Sequence, residues 1–543
     1  MKVAKYTNDP VAINYGLRNF PYFVLNMEQR NENGTITSNP EIADYRKEIR
    51  QIKQYYLDYE QGADFQPEGN GGHYVSSDVR FKTIRTLINK EARFMFSQTP
   101  DIFIKTIGDK NEAEKKQIEQ YQEIFNRVMK DSKFPKKLLL GAKDCLIGKR
   151  IACLVDISEQ GQILIHFYNS LQFYYELKPG TEELSKLITF EPIGSLYDVT
   201  RVYRYLVNRY EVTDTDKVQV RSALYDSKGT IMQELVPQKE LALDYIPAVV
   251  ITNDGLLEQQ GGVSDVEFLS DYESAYSRIA NGDIDADRQN MNPVRYVVDM
   301  NSNTTKGLSN AAGSFWDLKS EQNQNEVHPM IGTLAPSMQH SEPVKMTLER
   351  IRSAMYGEVD VPDISQDGLL SGITSFKALK ALYYPLTTLC NERMKTWKPA
   401  IEKLVDIVIN LALINVSEVT DYYNLQSLTQ VNYTVNISEN YALLDDETEE
   451  KATDISEVLN NIRSRKSYNE KWRKDELETD DDQDAELLQI AVENNMFDTL
   501  SANPSVSSEI SRRYGEQQID EGIEIEGAKT SLGIDEGEGT EAE

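Results

Sequence analysis

Three residues in this sequence could do metal chemistry. Asp101, preceded by Pro100, is followed by Glu114 and Lys116. Two carboxylates can hold a divalent ion while a lysine polarises the attacking water, the arrangement of a metal-dependent nuclease. Glu114 and Lys116, however, sit in a charged helical segment (NEAEKKQIEQ) rather than a strand, and patterns this short arise by chance. The four histidines, His73, His166, His328 and His340, include no pair with another His or Cys at zinc-ligand spacing. Structural or surface roles are expected for them. Gly141 and Gly148-Lys149-Arg150 imitate a phosphate-binding loop, but the interval is too long and Arg150 stands where Ser or Thr should hold magnesium. Asp283, Asp285 and Asp287 open like a calcium loop, yet Arg288 occupies the glycine position and Val294 the glutamate position. A solvated helix face is expected there instead. No Gly-x-Ser-x-Gly elbow exists.

Two charged segments remain. The stretch 358–370 (EVDVPDISQDGLL) carries Glu358, Asp360, Asp363 and Asp367. A solvated or pore-lining loop explains it better than a metal site. The stretch 463–474 gathers Arg463, Arg465, Lys466, Lys471, Arg473 and Lys474 around Tyr468 and Trp472. Cations interleaved with aromatic rings can contact nucleic acid through phosphates and stacking. The competing reading is a solvated segment that pairs with the acidic runs 445–450 and 475–484.

Composition narrows the classes. At roughly 150 residues per domain, 543 residues predict three or four domains. The formal charge is −30, which argues against a protein that grips nucleic acid, because such binding rests on Lys and Arg neutralising phosphates. It argues equally against docking on an anionic membrane. Tyr outnumbers Phe by 30 to 16, and tyrosine suits surfaces half buried or wet at one end, subunit interfaces included. Three cysteines, Cys145, Cys153 and Cys390, cannot build a disulfide framework and fit a reducing compartment. The first residues show no secretory signal. The most apolar run, 405–416, is too short to span a bilayer and reads as a buried helix, so a soluble, intracellular chain is expected.

The elements follow from periodicity. Helical spacing appears over 42–59, 79–96, 110–131 and 136–147. Between 151 and 250 the period changes to two, in the runs IACLVDI, ILIHFY, LQFYYEL, TRVYRYLV, KVQVRSALYD and IPAVVI, which predicts a largely antiparallel sheet region. Ser264 and Glu267 form a capping box opening a helix with Phe268, Tyr272, Ala275, Tyr276 and Ile279 on one face; Asn292-Pro293 ends it. A short strand (294–298) and loops around Trp316 follow. A second helix starts at Ser341 with Pro343 in its first turn and stops at Gly357. A very long helix, 373–414, contains Pro385 and Pro399 and should kink. Strands near 431–437 precede a charged helical C-terminal part, and the acidic tail 516–543 has the composition of a disordered segment.

With these residues in place, the chain resembles the portal proteins of tailed bacteriophages, of the type common in phages of Gram-positive hosts. Three phrases carry the resemblance. FKTIRTLINKEARFMFSQTP (81–100) is similar to the family's helix ending in an aromatic-rich turn at proline. GVSDVEFLSDYESAYSRIANGDIDAD (262–287) is similar to its stem helix. SGITSFKALKALY (371–383) is similar to the start of its kinked helix, with Thr374 where the family usually has Ala. The resemblance covers roughly residues 40–465.

The resemblance implies an α+β, wedge-shaped subunit with an α/β wing, a two-helix stem, a β-containing clip, a long Pro-kinked helix and a helical crown, assembling into a ring, usually a dodecamer. On this chain the implied segments are an N-terminal arm (1–40), first wing part (41–262), stem helices (263–292 and 342–357), clip (293–341), tunnel loop (358–371), kinked helix with second wing part (372–445), crown (446–515) and acidic tail (516–543). The ring would sit at one capsid vertex of the virion, assembled in the host cytoplasm, and pass double-stranded DNA during packaging and ejection. It would dock the terminase large subunit and then the head–tail adaptor, beside major capsid and scaffolding proteins. No cofactor and no membrane partner are implied, and the packaging ATPase would be another polypeptide. Glu358, Asp360, Asp363 and Asp367 would lie near the channel, Trp316 would be the clip contact, and the six basic residues of 463–474 would be possible DNA contacts in the crown. An acidic wall that repels phosphate lets DNA slide, which suits the −30 charge. The rival readings are the nuclease above and a protein-binding acidic scaffold or adaptor.

Overall fold

A computed structural model describes residues 29–30, 36–37, 40–65, 76–107, 112–193, 204–226, 231–298, 330–334, 341–363 and 376–441, except positions 159, 214, 254, 257–258, 260, 292–293 and 426–427; it also describes 451, 454–458 and 467–468. The chain divides into two units, Met1–Leu443 and Leu444–Glu543. In the second, the described residues are short helical pieces. All that follows concerns the first.

After a minimal strand pair, β1 (Gln29–Arg30) and β2 (Ile36–Thr37), helix α1 runs Pro40–Gln61, with proline at its first position, where a missing N–H is harmless. It buries Ile49, Ile52 and Tyr56. Helix α2 (Thr83–Phe96) buries Ile84, Leu87, Ile88, Ala92 and Met95. It begins later than the spacing predicts, because Val79 is held elsewhere: its N–H donates to Asn281 Oδ1 (2.8 Å) and its carbonyl accepts from Asn281 Nδ2 (2.7 Å). Strand β3 (Asp101–Thr106) leads to helices α3 (Glu112–Asp131) and α4 (Phe134–Gly148).

The period-two region gives eight strands: β4 (Arg150–Ile157), β5 (Ile163–Asn169), β6 (Phe173–Leu177), β7 (Leu184–Ile193), β8 (Arg204–Val212), β9 (Val218–Asp226), β10 (Ile231–Glu240) and β11 (Ala248–Thr252). Every pairing among them is antiparallel, in a three-stranded sheet β11-β4-β5 and a five-stranded meander β10-β9-β8-β7-β6. Two of these strands, β7 and β10, are absent from the alternating runs of the sequence. Each contains a proline, and β10 is an edge strand exposed along its whole length, so no buried face imposes alternation on it. Strand β4 is buried over its first six residues. Helix α4 packs on β4 and β5, as expected of a strand covered on both faces.

Helix α5 (Asp265–Met291), the paired strands β12 (Val294–Val298) and β13 (Met330–Leu334), and helix α6 (Ser341–Glu358) follow. Helix α7 (Phe376–Ile414) is continuous through Pro385 and Pro399. Thr387 and Thr388 donate their hydroxyls to the carbonyls of Tyr383 and Tyr384 (2.9 and 3.0 Å). Its second half buries Trp397, Ile401, Leu404, Val405, Val408 and Ile409 and packs against β11 and β4. Helix α8 (Val416–Tyr423) and strand β14 (Tyr433–Ser438) complete the unit, β14 pairing antiparallel with β3 more than three hundred residues upstream. The fold is a mixture of helix and antiparallel sheet, the α+β class. No helix among the described residues is long and apolar enough to cross a membrane. Cys145, Cys153 and Cys390 are free and buried.

Candidate functional site

The α5–α6 hairpin and the acidic turn that leaves it are held by an unusual base. Asn253, just after β11, Glu91 of α2, Asp265 at the start of α5 and Arg393 of α7 converge there, all buried. Arg393 donates from Nη2 to Asp265 Oδ2 (2.7 Å) and from Nη1 to Asn253 Oδ1 (2.6 Å). Asn253 Nδ2 donates to Asp265 Oδ1 (2.9 Å). Glu91 Oε1 approaches Arg393 Nε to 2.8 Å, but off the alignment a hydrogen bond needs. Burial pushes the Glu91 carboxyl well above its usual range; Arg393 pulls it back, while Asp265 and Asp360 push it further up. One guanidinium thus ties three helices and a strand end together.

The chain enters α5 through Gly262, at φ +79°, where a Cβ would stand 2.4 Å from the Lys149 carbonyl oxygen. Only glycine passes there. Ser264 does not cap the helix as a capping box would require. Its hydroxyl donates to the Ile147 carbonyl (2.6 Å), and Glu267 bonds Tyr55 instead of reaching back. The long-range bonds win because they fix the helix start to α4.

Further along α5, side chains serve backbone amides of an extended neighbour. Glu273 accepts from the N–H groups of Ala63 (2.8 Å) and Ile84 (2.9 Å). Burial nevertheless pushes its pKa up to about 7, against the pull of those amides. Asn281 clamps Val79, and Asp285 accepts from the Ser77 N–H (3.0 Å) and hydroxyl (2.6 Å). The solvated face expected for Asp283, Asp285 and Asp287 therefore fails at Asp285, which also lies 3.5 Å from Arg288. The buried side of α5 is Val266, Leu269, Glu273, Ser277, Ala280 and Asn281. Of the apolar face predicted from the sequence, Ala275, Tyr276 and Ile279 are half-buried, Tyr276 edge-on to Phe81, whereas Phe268 and Tyr272 are exposed.

Helix α6 does not stop at Gly357; it runs to Glu358, and the left-handed residue is Asp360 at φ +51°. Val361 N–H returns to the Tyr356 carbonyl (3.0 Å), while Val359 and Val361 are buried. An aspartate accepts that conformation more readily than most residues. The turn exposes Glu358, Asp360 and Asp363, and Asp363 pairs with Arg352 at 2.8 Å. Of the four predicted loop acids, three are thus brought together, one of them partnered; Asp367 lies outside the described residues. A cavity of about 240 Å³ beside the turn is lined by Lys90, Arg93, Phe94, Pro362 and Tyr383 among others.

Trp316 and the basic residues Arg463, Arg465, Lys466, Lys471, Arg473 and Lys474 also lie outside the described residues. The nuclease trio is not assembled. Asp101 opens β3 and accepts from Asn440 Nδ2 (3.0 Å). Glu114 and Lys116 are two apart on α3, about 200° around a helix, so they point to different sides. Among the described residues no group of three or more His, Cys, Asp or Glu could hold a metal ion. Gly141 and Gly148 lie inside α4. A Cβ on Gly148 would meet Ser170 Oγ at 2.9 Å and Tyr56 OH at 3.0 Å. Arg150 is a buried partner of Glu48 (2.9 Å). Those glycines permit close packing and cradle nothing.

The buried base is what sequence reasoning missed. Glu91, Asp265 and Arg393 are far apart in the chain, and only a charged residue at an otherwise apolar helix position, Glu91 between Ile88 and Ala92, hinted at it. Compared with known proteins, residues 39–497 match the family model described as phage portal protein, SPP1 Gp6-like. No curated protein matches the chain.

Proposed function

The chain belongs to the SPP1 Gp6-like family of phage portal proteins, a structural and non-enzymatic family, and we propose that it forms the ring through which double-stranded DNA enters and leaves the capsid. In this reading the α5–α6 hairpin is the stem. The β12–β13 pair beyond it begins the clip, which would dock the terminase and then the head–tail adaptor. The turn after α6 is the root of the tunnel loop, and the sheets with α7 form the wing. The observation that carries the reading is the hairpin itself: two antiparallel helices with a strand pair at one end and exposed acids at the other, in a chain of net charge −30. A wall of like charge keeps DNA hydrated and mobile instead of binding it. Ring closure follows when a head-to-tail interface repeats through a fixed rotation.

Light scattering on the purified chain, with negative-stain images of the same peak, tests the ring. Twelve copies of 61.9 kDa give about 743 kDa, and a perforated ring near that mass is expected. A chain that stays at 62 kDa under all assembly conditions overturns the reading. The loop assignment is tested by replacing Glu358, Asp360, Asp363 and Asp367 with Lys. Rings should persist while the DNA packaged per particle falls; normal packaging would remove these acids from the channel.

A further inference from the structure

Helix α5 carries two aromatic residues, Phe268 and Tyr272, where the chain alone leaves them partly in water. Phe268, Tyr272, Ala275, Ile279, Gly282 and Ala286 recur at intervals of 4, 3, 4, 3 and 4, the 3.5-residue repeat with which one helix meets another. Phe268 is 46% exposed and Tyr272 37%. The inner side mixes Val266, Leu269 and Ala280 with polar residues, and Glu273, Asn281 and Asp285 are engaged with the backbone at 63, 77, 79 and 84. The described chain covers the upper part of the apolar stripe only in part, which leaves two neighbouring aromatics for a second helix to cover.

The outer face of α6 has the opposite character. Opposite its α5-facing side it exposes Met346, Arg350, Ser353, Ala354 and Gly357, three of them small. A shared cavity fixes the register of the antiparallel hairpin, bringing Tyr276 and Asp283 to Ser341, Lys345, Leu348 and Arg352. Tyr272 then stands at the level of Ser353 and Ala354, and Phe268 at the level of Gly357. Large side chains on one flank match small ones on the other at equal height, and small residues let a neighbouring helix approach closely. Charge agrees. Asp271, beside the apolar stripe, and Arg350 are both exposed, and neither is paired among the described residues.

We infer that the Phe268–Tyr272 stripe of one copy packs against the Ser353–Ala354–Gly357 flank of α6 in a second copy, with Asp271 facing Arg350 across the seam. The two flanks differ, so the contact is head-to-tail, and each copy keeps one flank free for the next. The occupant is another molecule of this chain. The inference rests on the ring reading and adds which surfaces close it.

The test uses the full chain carrying Tyr272→Cys and Ala354→Cys, treated with a short bismaleimide. The native thiols are buried and stay silent. A ladder of covalent oligomers is expected from the double variant and none from either single variant. Phe268→Asp should abolish the large-mass peak while leaving the melting temperature of the chain within a few degrees. Asp271→Arg and Arg350→Asp should each weaken assembly, and their combination should restore it. A ring of full mass that gives no ladder, or that tolerates Phe268→Asp, overturns the seam and leaves the ring standing. A wild-type chain that never assembles removes both.

Discussion

Helix α5 and the second half of α7 are built on opposite plans. From Trp397 to Ala412, α7 turns its apolar residues inward and its charges outward, the ordinary design of a helix that stabilises its own chain. Helix α5 buries Asp265, Glu273, Ser277 and Asn281 and exposes Phe268 and Tyr272. Beside those polar residues its inner side buries three apolar ones, Val266, Leu269 and Ala280, fewer than the second half of α7 does. What it offers is acceptors and donors for an extended stretch whose amides would otherwise be orphaned, and a buried unsatisfied amide costs about 1–3 kcal/mol. One helix holds the subunit together; the other is fixed to the subunit by polar bonds so that its apolar side remains available. The difference separates residues whose loss unfolds the chain from residues whose loss prevents assembly.

The largest break falls at the base of α5. Arg393→Ala leaves Asp265 and Glu91 buried without their cation, and removing one partner of a buried pair costs on the order of 3–5 kcal/mol. Glu91→Gln should cost far less, since burial already drives Glu91 toward its neutral form. Thermal unfolding of both variants checks the ranking; equal losses would mean the guanidinium is not the tie. Next, Ile401→Ala in α7, fully buried, should lose about 2–5 kcal/mol through lost transfer energy and a cavity. Phe268→Ala should cost less than about 0.5 kcal/mol in the unassembled chain, as exposed substitutions do. A comparable loss at Phe268 would show that the chain itself covers the stripe and would erase the contrast.

A third effect is pH-dependent and belongs to the inner side of α5. Burial raises Glu273 from 4.5 to about 7. Between those values the folded chain keeps this proton and the unfolded chain has released it. Stability therefore declines as pH rises through that window, by on the order of 3 kcal/mol at full ionisation. Glu273→Gln shifts the whole curve, because an amide NH₂ then faces a backbone donor, but it should flatten the slope between pH 5 and 7. An unchanged slope would assign it to other groups.

The sequence disclosed the elements of this helix pair better than their orientation. The end of α5, the start of α6, β12, and the two prolines inside α7 are all readable, because caps, period and proline act locally. Which side of α5 faces inward is not. Periodicity identifies the apolar stripe at Phe268, Tyr272 and Ile279, and a single chain offers no sign that its cover comes from outside the fold. Ser264 and Glu267 show the same limit: a correct local signature is overridden by the Ile147 carbonyl and the Tyr55 hydroxyl, which only the folded chain brings near. Strand β10, exposed and carrying Pro237, leaves no pattern to read. Of the candidate site, the loop acids could be picked out as a run of charge, whereas the Arg352 partner of Asp363 and the influence of Asp360 on Glu91 depend on tertiary contacts.

The smallest effect sharpens the comparison most, because it holds the chemistry constant. Arg393 and Asp265 meet at 2.7 Å with side chains 9% and 6% exposed; Arg352 and Asp363 meet at 2.8 Å with side chains 49% and 32% exposed. Both are Arg–Asp pairs of nearly equal length. Solvent screens the second, so Asp363→Asn should change stability by less than about 1 kcal/mol, and the remainder should vanish in high salt, where exposed charges are screened within a few ångströms. The Arg393 pair, shielded from ions, should keep its effect at any salt concentration. Measuring Asp363→Asn and Arg393→Ala at low and high salt compares them directly. If both losses fall together with added salt, water reaches the base of α5, and the burial on which its tie to α7 depends is not there.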